Sequence, residues 1–329
     1  MTMKDIKIGL ITDALTETCL SMEANTVVIT PLNYRWKLHF QKPDFLFIES
    51  AWHGSRRSWK NKIASSRKGN NKTLAAVVDF ARKRNIPTVF WNKEDGVHFD
   101  RFIDSASLCD YIFTVDETCI PRYKAALGED RPVQTLTFPV QHKLHKFEGF
   151  QFQSNSANFT GSYSRHIHDR RREWQDLLFG ACHEAGVPLT IYDRNSGRRD
   201  LRYRYPEGLG LQVRPAVKHT QTVQIYRHHL ISLNVNTIEN SPSMYSRRLV
   251  EILACGGIAV TNPSPAVDRY FVDYCHVIQN SEEAVELFCR LRSGPSKSDL
   301  NMAKAGSEYV HSHHTWTQRL EAIRREIGV

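Results

Sequence analysis

The feature that most constrains this chain is its rhythm: short unbroken apolar runs keep returning, separated by segments with helical spacing. In the first half the runs fall at residues 6–11, 27–29, 45–48, 87–91, 111–115 and 133–138. The first three, largely apolar, suit parallel strands covered on both faces better than alternating surface strands. Between them, Leu74, Val77, Val78 and Ala81 follow helical spacing, and residues 102–108 and 117–127 read as further helices. Strand alternating with helix predicts a doubly wound α/β sheet. The rhythm stops over 141–156, a polar stretch with little periodicity. It resumes with strands at 158–160, 188–192, 230–235 and 258–261 and helices at 169–185 and 222–229. Three closing helices are expected at 281–291, 298–310 and 315–327. A chain of 329 residues exceeds what one core usually organises. Two domains are therefore expected, 1–150 and 151–329.

Residues 241–261, SPSMYSRRLVEILACGGIAVT, pass without a gap from a polar loop to a helix, two glycines and an apolar strand. Pro242 suits a first helical turn, with Ser241 or Ser243 as cap, and Gly256-Gly257 ends the helix. The amides at such a start, with Arg247 and Arg248 beside them, form a seat for a diphosphate. Glu251 shares a face with both arginines, which equally describes an ordinary amphipathic helix with an internal ion pair.

The string R-L-V-E-I-L-A-C-G-G, preceded by I-S-L-N-V-N and followed by Arg269-Tyr270-Phe271, resembles the carboxy-terminal signature of the spore-maturation (CgeB-like) glycosyltransferases. F-W-N-K-E-D-G-V-H-F with A-S-L-C-D-Y-I-F-T-V-D-E resembles the amino-terminal half of the same family, and the likeness spans roughly 44–319. It implies a GT-B fold: two Rossmann-like domains facing each other across a cleft, with C-terminal helices. The first domain would take the acceptor and the second a nucleoside-diphosphate sugar, a UDP-sugar being favoured, although no residue specifies the base. By that resemblance Glu251 holds the ribose hydroxyls. An acid that many relatives carry eight residues earlier is here Ser243.

Loops after strands supply the remaining candidates. Gly161, Ser162, Tyr163 and Arg165 follow the first strand of the second half; a glycine there lets backbone amides approach a phosphate, and F-x-G-S-Y matches the family. Arg214 lies in the expected wall against the base, and Asn236 closes the I-S-L-N-V-N string. Arg170, Arg171 and Arg172 read as a solvated helix face. Glu94, Asp95 and His98 follow a buried strand, as a general base for an acceptor hydroxyl requires; a charged turn is the plainer alternative. Trp52, His53, Arg56, Arg57 and Trp59 form an aromatic and cationic loop suited to an acceptor, or to packing against its own domain.

Charge is unevenly spread. Residues 53–84 carry ten Lys or Arg against Asp79 alone, as large an excess as the +9 of the whole chain. Such a segment is either a solvated loop or a contact for a polyanion: nucleic acid, a phosphate-bearing polymer or an anionic lipid surface. The acceptor is therefore expected to be a glycan or other polymer. The alternatives are hydroxylated bases in DNA, or a catalytically silent nucleic-acid or glycan binder on the same fold. Seven scattered cysteines without a C-x-x-C pair point to buried thiols in a reducing cytoplasm. The amino-terminal apolar run is too short for a signal peptide or membrane span. No metal is expected, since His311, His313 and His314 have no acid or cysteine nearby, and no cofactor beyond the sugar nucleotide is required.

Overall fold

The computed structural model describes residues 5–65 and 70–329. Arg67 and Lys68 of the basic segment lie outside the described residues. The chain divides into two compact units: 1–141 with 241–244 and 316–329, and 142–240 with 245–315.

The first unit is built on a parallel sheet of β1 (Lys7–Ile11), β2 (Asn25–Val28), β3 (Phe45–Glu49), β4 (Thr88–Asn92), β5 (Tyr111–Thr114) and β6 (Val133–Thr135). Their spatial order is β2-β1-β3-β4-β5-β6. β3 and β4 are buried at every position, which is why both read as continuous apolar runs. The helices are α1 (Ala14–Ser21), α2 (Tyr34–Phe40), α3 (Lys72–Arg82), α4 (Phe99–Ala106) and α5 (Ile120–Leu127). In α3, Leu74, Val77, Val78 and Ala81 turn inward as their spacing predicts. α1 and α2 were not legible, because each is short and its apolar residues do not mark one inner face.

The second unit holds β7 (Ser154–Gly161), β8 (Leu189–Asp193), β9 (Gln212–Pro215), β10 (His229–Leu233), β11 (Ile258–Thr261) and β12 (His276–Val277). These strands are all parallel, in the order β12-β11-β10-β7-β8-β9. Read from the β9 edge, this is the 3-2-1-4-5-6 order of a nucleotide-binding sheet. Its helices are α6 (Asp169–Glu184), α7 (Thr222–His228), α8 (Arg247–Ala254), α9 (Pro265–Tyr270), α10 (Ser281–Arg292) and α11 (Lys297–His313). The closing α12 (Trp316–Ile327) belongs to the first unit, not to the second as the simple split at 150 has it. The reason is local: buried Trp316 packs edge-on to Phe47 and Trp91, and its amide donates to the Val140 carbonyl. Among the described residues no helix is long and apolar enough to cross a membrane.

Candidate nucleotide-binding site

In the second sheet the strand order reverses between β7 and β10, and ligands of open α/β sheets settle at the carboxyl ends of strands at such a point. Arg248 lies across it. Its Nε donates to the Thr160 carbonyl on β7 at 2.6 Å, and its Nη1 lies 3.4 Å from Asn234 Oδ1 beyond β10. The guanidinium carbon stacks 4.4 Å from the centre of the Phe159 ring. Gly161 is required beside it, since a Cβ would sit 2.8 Å from Arg248 Nη2 and 2.7 Å from the Phe159 ring. Any side chain there would displace the guanidinium.

Two further arginines converge on Ser162. Arg171 Nη2 donates to its carbonyl at 3.0 Å and Arg194 Nη2 to its hydroxyl at 3.3 Å. Burial pushes Arg171 down to about 10, and the neighbouring charges of Arg248 and Arg194 push the same way. Among the described residues no carboxylate pairs with any of the three. Glu251 acts on Arg248 and Asp193 lies near Arg194 electrostatically, but neither forms an ion pair, so three gathered guanidinium groups favour an anion beside them. Arg171 therefore departs from the solvated helix face expected of it. Arg170 keeps that character, pairing with Glu173 on its own helix, while Arg172 is half-buried and pairs with Asp169. Arg194 was missed, as nothing in its sequence context distinguishes it.

α8 starts at Arg247, not in the loop before it. Ser246 takes the cap position, and its amide donates to Asn236 Oδ1 at 2.8 Å. Buried Asn236 also donates to Thr261 Oγ1 and Asn262 Oδ1, so its role is to fix the start of the helix. The helix ends as the glycines predict: Gly256 N–H donates to Leu253 O and Gly257 N–H to Ile252 O, with Gly256 at φ 71°. Ser243, expected at the donor, belongs to the first unit. Its hydroxyl donates to Val115 O at 3.1 Å and accepts from Glu117 N–H at 2.8 Å. Ser241 there donates to Asp116 Oδ1 at 2.7 Å. Two serines around Pro242 resemble a helix cap in sequence, but their hydroxyls satisfy the β5–α5 turn instead. Ser243→Ala should lower stability by about 1–3 kcal/mol, the cost of stranding those buried partners, as chemical denaturation would read.

Glu251, one turn beyond Arg247, is 5% exposed, and its Oε1 lies 2.7 Å from His219 Nε2. Burial works to raise its pKa. The His219 hydrogen bond and charge, then His145 and Arg247, outweigh that and hold it at about 2. The carboxylate is thus ionised at neutral pH and suited to accept hydrogen bonds from a diol. His145 lies beside His219 with ring centres 4.9 Å apart, and burial brings it down to about 4. Neither histidine was legible as a site residue, since only the fold brings 145 and 219 together.

His145, His219 and Glu251 each offer a potential metal-ligand atom within 4.8 Å of the others. A cation there would have to break the His219–Glu251 hydrogen bond against the charges of Arg227 and Arg247. His311, His313 and His314 do not converge; they bond separately to Ala254 O, Tyr309 O and Tyr245 Oη.

The other donor candidates lie around the site in supporting roles. Tyr163 is buried and donates to Asp176 Oδ1 at 2.7 Å, which replaces the expected ligand contact. Arg165 reaches the carbonyls of Arg204 and Tyr205. Arg214 is exposed on β9, the edge strand.

In the first unit, Asp95 lies just past β4 and is fully buried. Asn92 Nδ2 donates to its Oδ1 at 2.7 Å, and Tyr123 Oη donates to Oδ2 at 2.9 Å. Desolvation raises its pKa to about 7, against the hydrogen bonds of Thr114 and Tyr123 that lower it. Glu94 and His98 are half-buried, and the His98 ring meets Trp52 edge-on at 5.1 Å. Trp52, His53, Arg56 and Arg57 are exposed, and none of the four has an ion-pair partner among the described residues. Trp59 is the exception: it is buried and its Nε1 donates to Ile29 O at 2.9 Å, so it packs the loop and does not face an acceptor.

Residues 166–325 match a family described as glycosyl transferase-like. Among curated proteins, none matches this sequence. The fold is that of GT-B enzymes. A DNA-modifying β-glucosyltransferase solved with and without uridine diphosphoglucose superposes with a TM-score of 0.59 at 11% identity, over 98% of this chain and 100% of the other. Anabaena HepE, in complex with UDP and glucose, gives 0.58 at 12% identity over 98% and 91%. Sucrose-phosphate synthase from Thermosynechococcus elongatus gives 0.52 at 10% identity over 92% and 81%.

Proposed function

We propose that this chain, a glycosyltransferase with the GT-B fold, moves a sugar from a UDP-sugar to a hydroxyl on a glycan or other polymer, within the spore-maturation (CgeB-like) branch that its motifs resemble. The observation that carries this is Arg248 lying across the switch point of the second sheet, beside a glycine that leaves room for nothing larger. An anion there meets Arg248, Arg171 and Arg194. As the bond to the sugar breaks, negative charge grows on the leaving diphosphate, and donors already in place stabilise it without reorganising. Three guanidinium groups can neutralise that charge, so the reading calls on no metal. Glu251, ionised and buried, takes the ribose hydroxyls, with His219 orienting it. The loop of Glu94, Asp95 and His98 takes the proton from the acceptor. A cytoplasmic location accords with seven cysteines that form no disulfide among the described residues.

Incubation with a panel of sugar nucleotides, read by mass spectrometry for released UDP, tests the reading: turnover of one UDP-sugar is expected, and turnover of none contradicts it. Glu251→Gln should weaken UDP binding by about tenfold or more while leaving the uridine-free diphosphate untouched, as calorimetry would read. An unaltered UDP affinity would remove the ribose assignment.

A DNA acceptor is the second reading, favoured by the exposed Trp52, Arg56 and Arg57, neither arginine being paired with an acid among the described residues. Duplex DNA binding across a salt series should then be steep, and shallower in a variant with Arg56 and Arg57 neutralised.

A further inference from the structure

The first unit exposes an apolar ridge that neither the core nor the proposed reaction uses. Leu32, in the turn entering α2, is 98% exposed, and Trp36 and Phe40 on the helix are 56% and 67% exposed. Trp36 and Phe40 are four residues apart on α2 and so share a face, and Leu32 lies in the turn just before the helix. The rings of Trp36 and Phe40 lie 6.0 Å apart, which fixes them on the same face. The opposite face is committed: Leu38 is fully buried, and Lys37 Nζ donates to Val28 O at 3.1 Å. Tyr34 meets Phe80 of α3 edge-on at 5.4 Å, so the helix is held firmly to the body of the unit.

Large exposed apolar side chains in one row mark an interaction surface. The flanking charges say what kind. Arg35, His39 and Lys42 are exposed beside the ridge, and no acid pairs with any of them among the described residues. Arg84 stacks 3.5 Å over the Phe80 ring, the ring that Tyr34 touches, and adds a cation at the α2–α3 seam. Tryptophan and phenylalanine with leucine on one side, rimmed by Lys and Arg, is the composition of a segment that lies in the headgroup layer of an anionic bilayer.

We infer that the Leu32–Trp36–Phe40 ridge docks this protein on an anionic lipid surface, the three side chains entering the headgroup layer while Arg35 and Lys42 meet lipid phosphates. The inference stands apart from the reading of the nucleotide site, which uses none of these residues.

The test is co-sedimentation of the full chain with vesicles of phosphatidylcholine alone and with about one-third phosphatidylglycerol, at low and high salt. Binding is expected to the anionic vesicles only, weakening as salt rises. A triple variant, L32S/W36S/F40S, should lose at least tenfold in partitioning with an unchanged melting temperature, since all three side chains are exposed. Lipids brominated near the headgroup should quench tryptophan fluorescence in the parent and not in W36F, which reads insertion even if the triple variant folds poorly. No binding to anionic vesicles at low salt overturns the inference. So does binding that the triple variant retains in full, the result expected of a purely electrostatic surface such as a nucleic-acid contact. A parent that is dimeric by light scattering and becomes monomeric in the triple variant also overturns it, because a second copy would then cover the ridge.

Discussion

Arg248→Ala is expected to lower kcat by roughly 10²–10³-fold with a much smaller change in the KM for the donor, the size seen when one preorganised charge donor is removed from a transition state. The reason is positional. The guanidinium is held from below by Thr160 O and the Phe159 face, so it does not have to find the diphosphate during the reaction. Its worth is greatest where the charge is greatest, which is in the transition state. Arg247→Ala is the comparison, because adjacent helical residues point about 100° apart and Arg247 acts on Glu251 electrostatically. That variant should change donor affinity by a few-fold and leave kcat within about tenfold. Equal and small effects at both positions would place the diphosphate elsewhere.

The second large effect is expected at Asp95. Its folded pKa of about 7 lies well above its ordinary 3.8, chiefly because burial disfavours the charged form. The native state therefore binds more protons than the unfolded chain between those values, and stability falls as pH rises through that window. Asp95→Asn, which mimics the protonated group, should remove that fall and be more stable than the parent above pH 7, by at most about 4 kcal/mol. Melting curves from pH 4 to 9 would read it. The same variant should lose about 10²–10⁴-fold in kcat, and the rise of kcat/KM through pH 7 should disappear. Asp95 is enclosed in this resting structure, whereas Gly96 and Val97, the next two residues of the loop, are exposed. A variant with restored alkaline stability and full turnover would make Asp95 an anchor for Tyr123, and His98, beside exposed Trp52, the reachable base.

These expectations show where the sequence was informative. The sheet-forming runs were legible because parallel strands are buried on both faces, so β3, β4 and β11 needed no alternation to be recognised. Gly161, Arg248 and Glu251 were legible because a strand end, a glycine and a helix follow one another within short stretches of chain. Arg171 was misread, since one helix position in a run of three arginines looks like its neighbours until the fold turns it toward Ser162. Ser243 was misread for the converse reason: its local pattern fits a cap, and its partners, Val115 and Glu117, are distant in sequence. His145 and His219 carried no signal, because a lone histidine is silent until a partner such as Glu251 is placed beside it. Likewise, the ridge on α2 is invisible to a reading that looks for buried apolar residues.

Calorimetric titration of UDP into the full chain, set beside Arg248→Ala and Asp95→Asn, tests the central claim most directly. The account predicts one site per chain in the parent, an affinity at least tenfold weaker in Arg248→Ala, and an unchanged affinity in Asp95→Asn. A parent that does not bind UDP, or an Arg248→Ala variant that binds it as tightly as the parent, would contradict the placement of the nucleotide at the switch point of the second sheet.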